Sequence, residues 1–156
     1  MEKYKINKGV KLYLDEGSTL RVLFEDGKTK ELNVLTLLDK LPKEYAKLKD
    51  MDFFLKGRLV GWGGIIWSKE VDLSVDTIYE EGKEVPSEPN SLNYIIGFKV
   101  KQARLSKELS QLELATISGV DQSEISKLEK GLFNPSINFL KRIFNALGKE
   151  IELTIK

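Results

Sequence analysis

Residues 111–131, QLELATISGVDQSEISKLEKG, constrain this chain more than any other stretch. Two short runs with helical apolar spacing flank a single glycine. Leu112, Ala115 and Ile117 set the inward positions expected of the first run, and Val120, Ile125 and Leu128 those of the second. Ala115 is small where two helices would cross closely. Gly119 stands where the joining turn needs a positive φ, which costs glycine little. Asp121 followed by Glu124 has the D-x-x-E form of a helix start. Two short helices joined so tightly expose the second one, whose width suits the major groove of duplex DNA.

Composition narrows the function classes. The chain has 156 residues, enough for one ordinary domain or two small ones. With 41% apolar and 31% charged residues, it has the composition of a soluble globular protein. No apolar run approaches the roughly 18 residues needed to span a bilayer. The opening MEKYKINKG lacks the apolar core of a signal peptide, so a cytoplasmic protein without membrane contact is expected. The chain has no cysteine and no histidine. Disulfides, thiol catalysis and thiolate zinc sites are excluded, and the commonest general base and transition-metal ligand are missing. No enzyme, metal or cofactor is expected. Net charge is +1, but it divides unevenly: residues 1–90 carry 15 basic and 17 acidic side chains, residues 91–156 carry 10 and 7. The basic excess lies in the half that holds the two-helix pattern, and it is modest.

The chain reads as two domains: residues 1–82, a linker over 83–92, and residues 93–156. The linker reading rests on GKEVPSEPNS at 82–91, with Pro86 and Pro89 among small and charged residues. Before it the pattern is mostly extended. Val10, Leu12 and Leu14 alternate with polar residues, as do Leu20, Val22 and Phe24. Asp26-Gly27 then predicts a hairpin turn into a strand over 29–34. A short helix broken near Pro42 is expected within 35–49, strands over 53–60 and 64–67, and a helical turn over 75–80. The first domain is therefore α+β, a small antiparallel sheet with short helices. After the linker the period becomes helical, predicting an all-α domain of four to five helices. Its last helix enters through Asn134-Pro135-Ser136 and stops at Gly148. The closing EIELTIK alternates, with Ile151, Leu153 and Ile155 on one face, and predicts a terminal strand in need of a partner.

The second half resembles the Cro/repressor-like family of helix-turn-helix domains, often called XRE-like. The resemblance is carried by Arg104, Leu109-Ser110-Gln111, Leu114-Ala115, Gly119-Val120, Ile125-Ser126, Leu128-Glu129, Gly131, Asn134-Pro135-Ser136, Leu140 and Ala146-Leu147-Gly148. It implies that Gln122, Ser123 and Lys127 face bases, with Ser126 nearby, on a recognition helix. The spacing agrees: 123 and 127 are one turn apart, and 122 sits at the end that would enter the groove. Glutamine suits adenine, and lysine the guanine acceptors. The resemblance also implies a phosphate contact from Gln111 and a structural ion pair between Arg104 and Glu129. Lys130 and Asn134, in the loop after the recognition helix, are further phosphate candidates; Lys99, Lys101 and Lys107 are weaker ones. The rival for these polar positions is an ordinary solvated face. Related antitoxins end in a strand that pairs with its twofold mate, so Ile151, Leu153 and Ile155 are expected at a homodimer seam. The competing expectation folds that strand back onto the chain's own sheet.

The first half resembles a bacterial family of unknown function, the domain-of-unknown-function family 2442. Leu20-x-Val22-x-Phe24-x-Asp26-Gly27, Leu48-x-Asp50-x-x-Phe53, Trp67, Asp72-Leu73-Ser74 and Ile78-Tyr79 carry it. The resemblance implies no chemistry, but places such domains beside repressor-like ones and near toxin–antitoxin pairs. Trp62 and Trp67 beside Gly61, Gly63 and Gly64 suggest either a ring-stacking ligand site or, more simply, core packing. Asp50, Asp52, Asp72 and Asp76 lack the spacing of a cation loop and read as turn and cap residues. The expected function is a dimeric, sequence-specific DNA-binding regulator, a repressor at a palindromic operator. An antitoxin that autoregulates through the same helices is the alternative. Double-stranded DNA is the expected partner, with a small ligand or a toxin protein at the first domain.

Overall fold

A computed structural model describes residues 7–156. The first six residues, part of the stretch read against a signal peptide, lie outside the described residues. The chain forms two compact units, one ending at Glu88 and the other running Pro89–Lys156.

The first unit opens with an antiparallel meander of β1 (Gly9–Asp15), β2 (Thr19–Phe24) and β3 (Thr29–Asn33). Leu12 pairs with Val22, Leu14 with Leu20, and Leu20 with Leu32, so the alternating apolar residues share one face. The turn between β2 and β3 places Gly27 at φ 90°, and the Asp26 carboxylate accepts from the Lys28 amide at 2.9 Å. Two 3₁₀ helices follow, Val34–Lys40 and Lys43–Lys49, on either side of Pro42. Next come α1 (Met51–Phe54), β4 (Arg58–Val60), β5 (Gly64–Ile66), β6 (Asp72–Ser74) and α2 (Val75–Glu81). Strands β4, β5 and β6 make a second, three-stranded sheet.

Two expectations are corrected here. The strand placed at 53–60 starts only at Arg58, because Asp50 accepts from the Phe53 amide and winds Phe53 and Phe54 into α1. The segment assigned to the linker from residue 83 begins with a strand, β7 (Lys83–Val85), which extends the first sheet beside β3. That strand is held by backbone pairing and shows no apolar alternation. Leu20, Val22, Leu48, Phe54, Ile65, Val71 and Ile78 are buried in the shared core.

The second unit is helical: α3 (Ser91–Ser106), α4 (Gln111–Ser118), α5 (Gln122–Glu129) and α6 (Ile137–Ala146). Val100, Leu114, Ile125, Leu128, Ile143 and Leu147 form its core. The Ser136 hydroxyl caps the start of α6 by accepting from the Phe139 amide at 3.1 Å. Gly148 at φ 69° closes its end. The Gly148 amide reaches the Asn145 carbonyl at 3.0 Å, and the Lys149 amide reaches that of Phe144 at 2.8 Å. Residues 150–156 form no strand in the single chain, contrary to the terminal strand expected there, and Leu153 is 76% exposed. A strand exists only by pairing its backbone, and the single chain gives this segment no ladder. No helix among the described residues is long and apolar enough to cross a membrane.

Candidate nucleic-acid interface

The joint between α4 and α5 is built from its caps inward. The Ser110 hydroxyl accepts from the Glu113 amide at 3.0 Å and starts α4. Gly119, at φ 72°, ends it in the left-handed conformation, its amide bonded to the Ala115 carbonyl at 2.9 Å. The Arg142 guanidinium, from α6, donates to the Gly119 carbonyl at 2.8 Å and holds the turn from outside.

The side of α4 turned inward includes Ala115, as expected, but not Leu112 or Ile117. Leu114 and Ala115 are buried, with Ser118 half-buried a turn later, while Leu112 and Ile117 stand 60% and 57% exposed. Several apolar residues in one helical turn allow more than one stripe, and the spacing alone did not choose between them. The capping box is also absent. Asp121 has the extended backbone of an N-cap, but its side chain makes no capping bond; its carbonyl accepts from the Glu124 amide at 3.1 Å instead.

Helix α5 is pinned on one side by fully buried Ile125 and Leu128. Gln122, Ser123 and Lys127 lie on the opposite, exposed side, with Ser126 half-buried beside them. Lys130 ends the helix, and Asn134 lies in the following loop; both are exposed.

The base of α5 is fixed by a charged cluster. Arg104 Nη2 meets Glu129 Oε1 at 2.7 Å, and Arg104 Nε lies 3.1 Å from both carboxylate oxygens. The side chains are only 9% and 3% exposed. Arg104 Nη1 also donates to the Leu109 carbonyl at 2.7 Å. A buried pair of this kind is tolerable because each guanidinium nitrogen and each carboxylate oxygen has a hydrogen-bond partner. Gln111 joins the same cluster: its Nε2 donates to Glu129 Oε2 at 3.2 Å. The amide nitrogen carries a second hydrogen, so the residue assigned to phosphate also braces the ion pair.

Two contributors were missed in the sequence. Gly97, inside α3, is buried against α5, where an added Cβ would strike the Leu128 carbonyl. A glycine in a helix interior costs stability relative to alanine, which was the available sign of a close crossing. Arg142 gave no such sign, since nothing in its local pattern links it to the turn.

In the first unit, the Trp67 indole donates to the Phe54 carbonyl at 2.7 Å and stacks on the Phe54 ring. It is a packing residue. Trp62 lies under the Lys8 ammonium, 5.4 Å from the ring centre. Of the acidic residues, Asp50 caps α1, Asp72 accepts from the Tyr45 hydroxyl, and Asp76 accepts from the Asn7 amide at 2.9 Å; Asp52 is exposed in α1. Burial, together with the Asp72 carboxylate, pushes the Tyr45 hydroxyl up from its ordinary value.

A short helix, a left-handed glycine turn and a second helix with one buried and one open polar face define a helix-turn-helix unit. Residues 100–153 match the family described as helix-turn-helix, and residues 10–84 match one described as a protein of unknown function, DUF2442. Control protein C.BamHI of Bacillus amyloliquefaciens is 38% identical over 60 residues, covering 38% of this chain and 74% of that protein. The chain belongs to the helix-turn-helix family.

Other relatives match over stretches of similar length. The transcriptional regulator SlrR of Bacillus subtilis is 43% identical over 61 residues, 38% of this chain and 39% of its own length. HigA2 of Mycobacterium tuberculosis, named as a candidate antitoxin, is 28% identical over 60 residues, 38% of this chain and 59% of its own. The chain thus spans less than two thirds of each of those two relatives. A solved structure from Nitrosomonas europaea, titled a candidate DNA-binding protein, aligns over 92% of this chain and 88% of its own. The TM-score is 0.45 at 17% identity, too remote to bear on function.

Proposed function

We propose that this protein is a sequence-specific DNA-binding transcriptional regulator, a repressor acting as a homodimer on a palindromic operator. The observation that carries this is the division of α5: Ile125 and Leu128 lock it from beneath, while Gln122, Ser123 and Lys127 form an open polar face. A helix so held enters the major groove without reordering, and its side chains reach base edges at fixed offsets. Lys130 and Asn134 flank that face and take phosphates; Gln111 uses its remaining hydrogen for the same purpose. The family match and the relatives named as regulators support the assignment.

The open face of α5 is small for tight binding by one copy. Asp121 is exposed at its entrance, and Glu124 is half-buried nearby. Two copies related by a twofold axis present two such helices about 34 Å apart, matching a palindrome and doubling the phosphate contacts. Residues 150–156 supply the dimer contact, since their apolar side chains lack cover in one chain. The first unit then takes a small ligand or a protein partner.

The test is a pair of substitutions. Gln122→Ala with Lys127→Ala should abolish discrimination between a selected operator and random duplex in fluorescence anisotropy, with the helical circular dichroism unchanged. Retained discrimination contradicts the base-reading assignment. The likeness to HigA2 favours a second reading, an antitoxin that represses its own operon while holding a toxin at the first unit. Co-expression with the adjacent gene product separates the two: a stable complex that relieves toxicity supports the antitoxin.

A further inference from the structure

The two ends of α5 are held differently. At its C-terminal end, Glu129 receives Arg104 and Gln111, and Gly97 brings α3 against the backbone of Leu128. At its N-terminal end, the Asp121 side chain makes no capping bond. The residues before Ile125 are not buried: Asp121, Gln122 and Ser123 are exposed, and Glu124 is half-buried. A helix start without a side-chain cap frays more readily than a capped one. Yet this is the end that carries Gln122 and Ser123.

A contact from α6 reaches that end. Arg142 lies on α6, which Leu140 and Ile143 seat in the core. Its Nη2 donates to the Gly119 carbonyl at 2.8 Å, and a Cβ on Gly119 would lie only 3.0 Å from the same nitrogen. The guanidinium thus rests directly on the glycine. Gly119 stands three residues before Gln122 and forms the left-handed cap that closes α4. A cation suits that place, since the last carbonyls of a helix carry partial negative charge. Arg142 is exposed, so the bond competes with water and adds little to overall stability. Its effect is local, on the turn from which α5 departs.

We propose that Arg142 is a positioning residue for sequence recognition: by clamping the Gly119 carbonyl, it holds the first turn of α5 where Gln122 and Ser123 meet base edges. This rests on the base-reading role proposed above for α5. It sets Arg142 apart from phosphate ligands, whose loss weakens binding to every duplex alike.

Arg142→Ala in the full-length protein separates the two roles. Affinity for a selected operator should fall about tenfold, the worth of one good base contact. Affinity for random duplex and the salt slope should stay as they are, with the helical circular dichroism unchanged. Amide hydrogen exchange of the free protein gives a readout without DNA. The Glu124 and Ile125 amides, bonded to the Asp121 carbonyl at 3.1 and 3.3 Å, should exchange faster. The Lys130 amide, bonded to the Ser126 carbonyl at 3.2 Å, should not. Arg142→Lys keeps a cationic donor on the same turn of α6 and should recover most of the affinity and of the protection. Unchanged exchange at Glu124 and Ile125, an unchanged preference for the operator, or an alanine variant that does not fold would each overturn the proposal. Equal losses on operator and random duplex, with a salt slope smaller by about one, would make Arg142 a phosphate ligand instead. An unaltered protein with no operator preference would overturn the base-reading role itself, a failure that the exchange data keep distinct from a failure of the clamp.

Discussion

The Glu129 carboxylate is where three elements of the second unit are tied together. It receives Arg104 from α3 and Gln111 from α4, and it is itself on α5. Removing it leaves a guanidinium buried without its counter-charge. Glu129→Ala should therefore destabilise the second unit by about 3–5 kcal/mol, read as a lowered denaturant midpoint with unchanged slope. Gly97→Ala tests the crossing of α3 and α5: the backbone of Leu128 has to move, at a cost of about 3 kcal/mol. Lys130→Ala, by contrast, should leave both stability and sequence preference intact while weakening binding to every duplex. It should reduce the salt slope by about one. Much at this scale was legible beforehand. Gly119 shows the positive φ its position demanded, and Ile125 and Leu128 are buried at helical spacing. Leu112 and Ile117 were misplaced because hydrophobicity says nothing about which of two apolar stripes meets a neighbour.

At the level of elements, long periodic segments were readable, as were the short β5 and α2 expected at 64–67 and 75–80, whereas β6 and β7 were not. The Asp-Gly hairpin and α3 to α6 follow from alternation, turn chemistry and caps. β6 and β7 have three residues each, too few for a period to emerge, and their existence depends on a partner strand. The same physics explains the tail. EIELTIK carries a strand pattern, yet a pattern becomes a strand only against another backbone. Deleting residues 150–156 should give monomers by light scattering with the second unit still folded, since its core residues end at Leu147. An unchanged dimer would show that the contact lies elsewhere.

The whole molecule consists of two units with separate cores, one from Leu20 to Ile78 and one from Val100 to Leu147. The isolated segment Pro89–Lys156 should accordingly fold on its own and keep its helical circular dichroism. That fragment keeps α5 and residues 150–156, so it should still dimerise and bind duplex DNA; a fragment that sediments as a monomer would place the dimer contact in the first unit. The sequence points to the division near residue 88 through its prolines, but not to the docking of 83–85 onto β3. The function proposed for the molecule depends on α5 reaching bases in duplex DNA. The most direct measurement is selection of binding sites from fragmented genomic DNA by the purified full-length protein. A palindromic motif whose half-sites lie about one helical turn apart is the expected result. Recovery of fragments with no shared motif, at the affinity of any weakly basic protein, would contradict it.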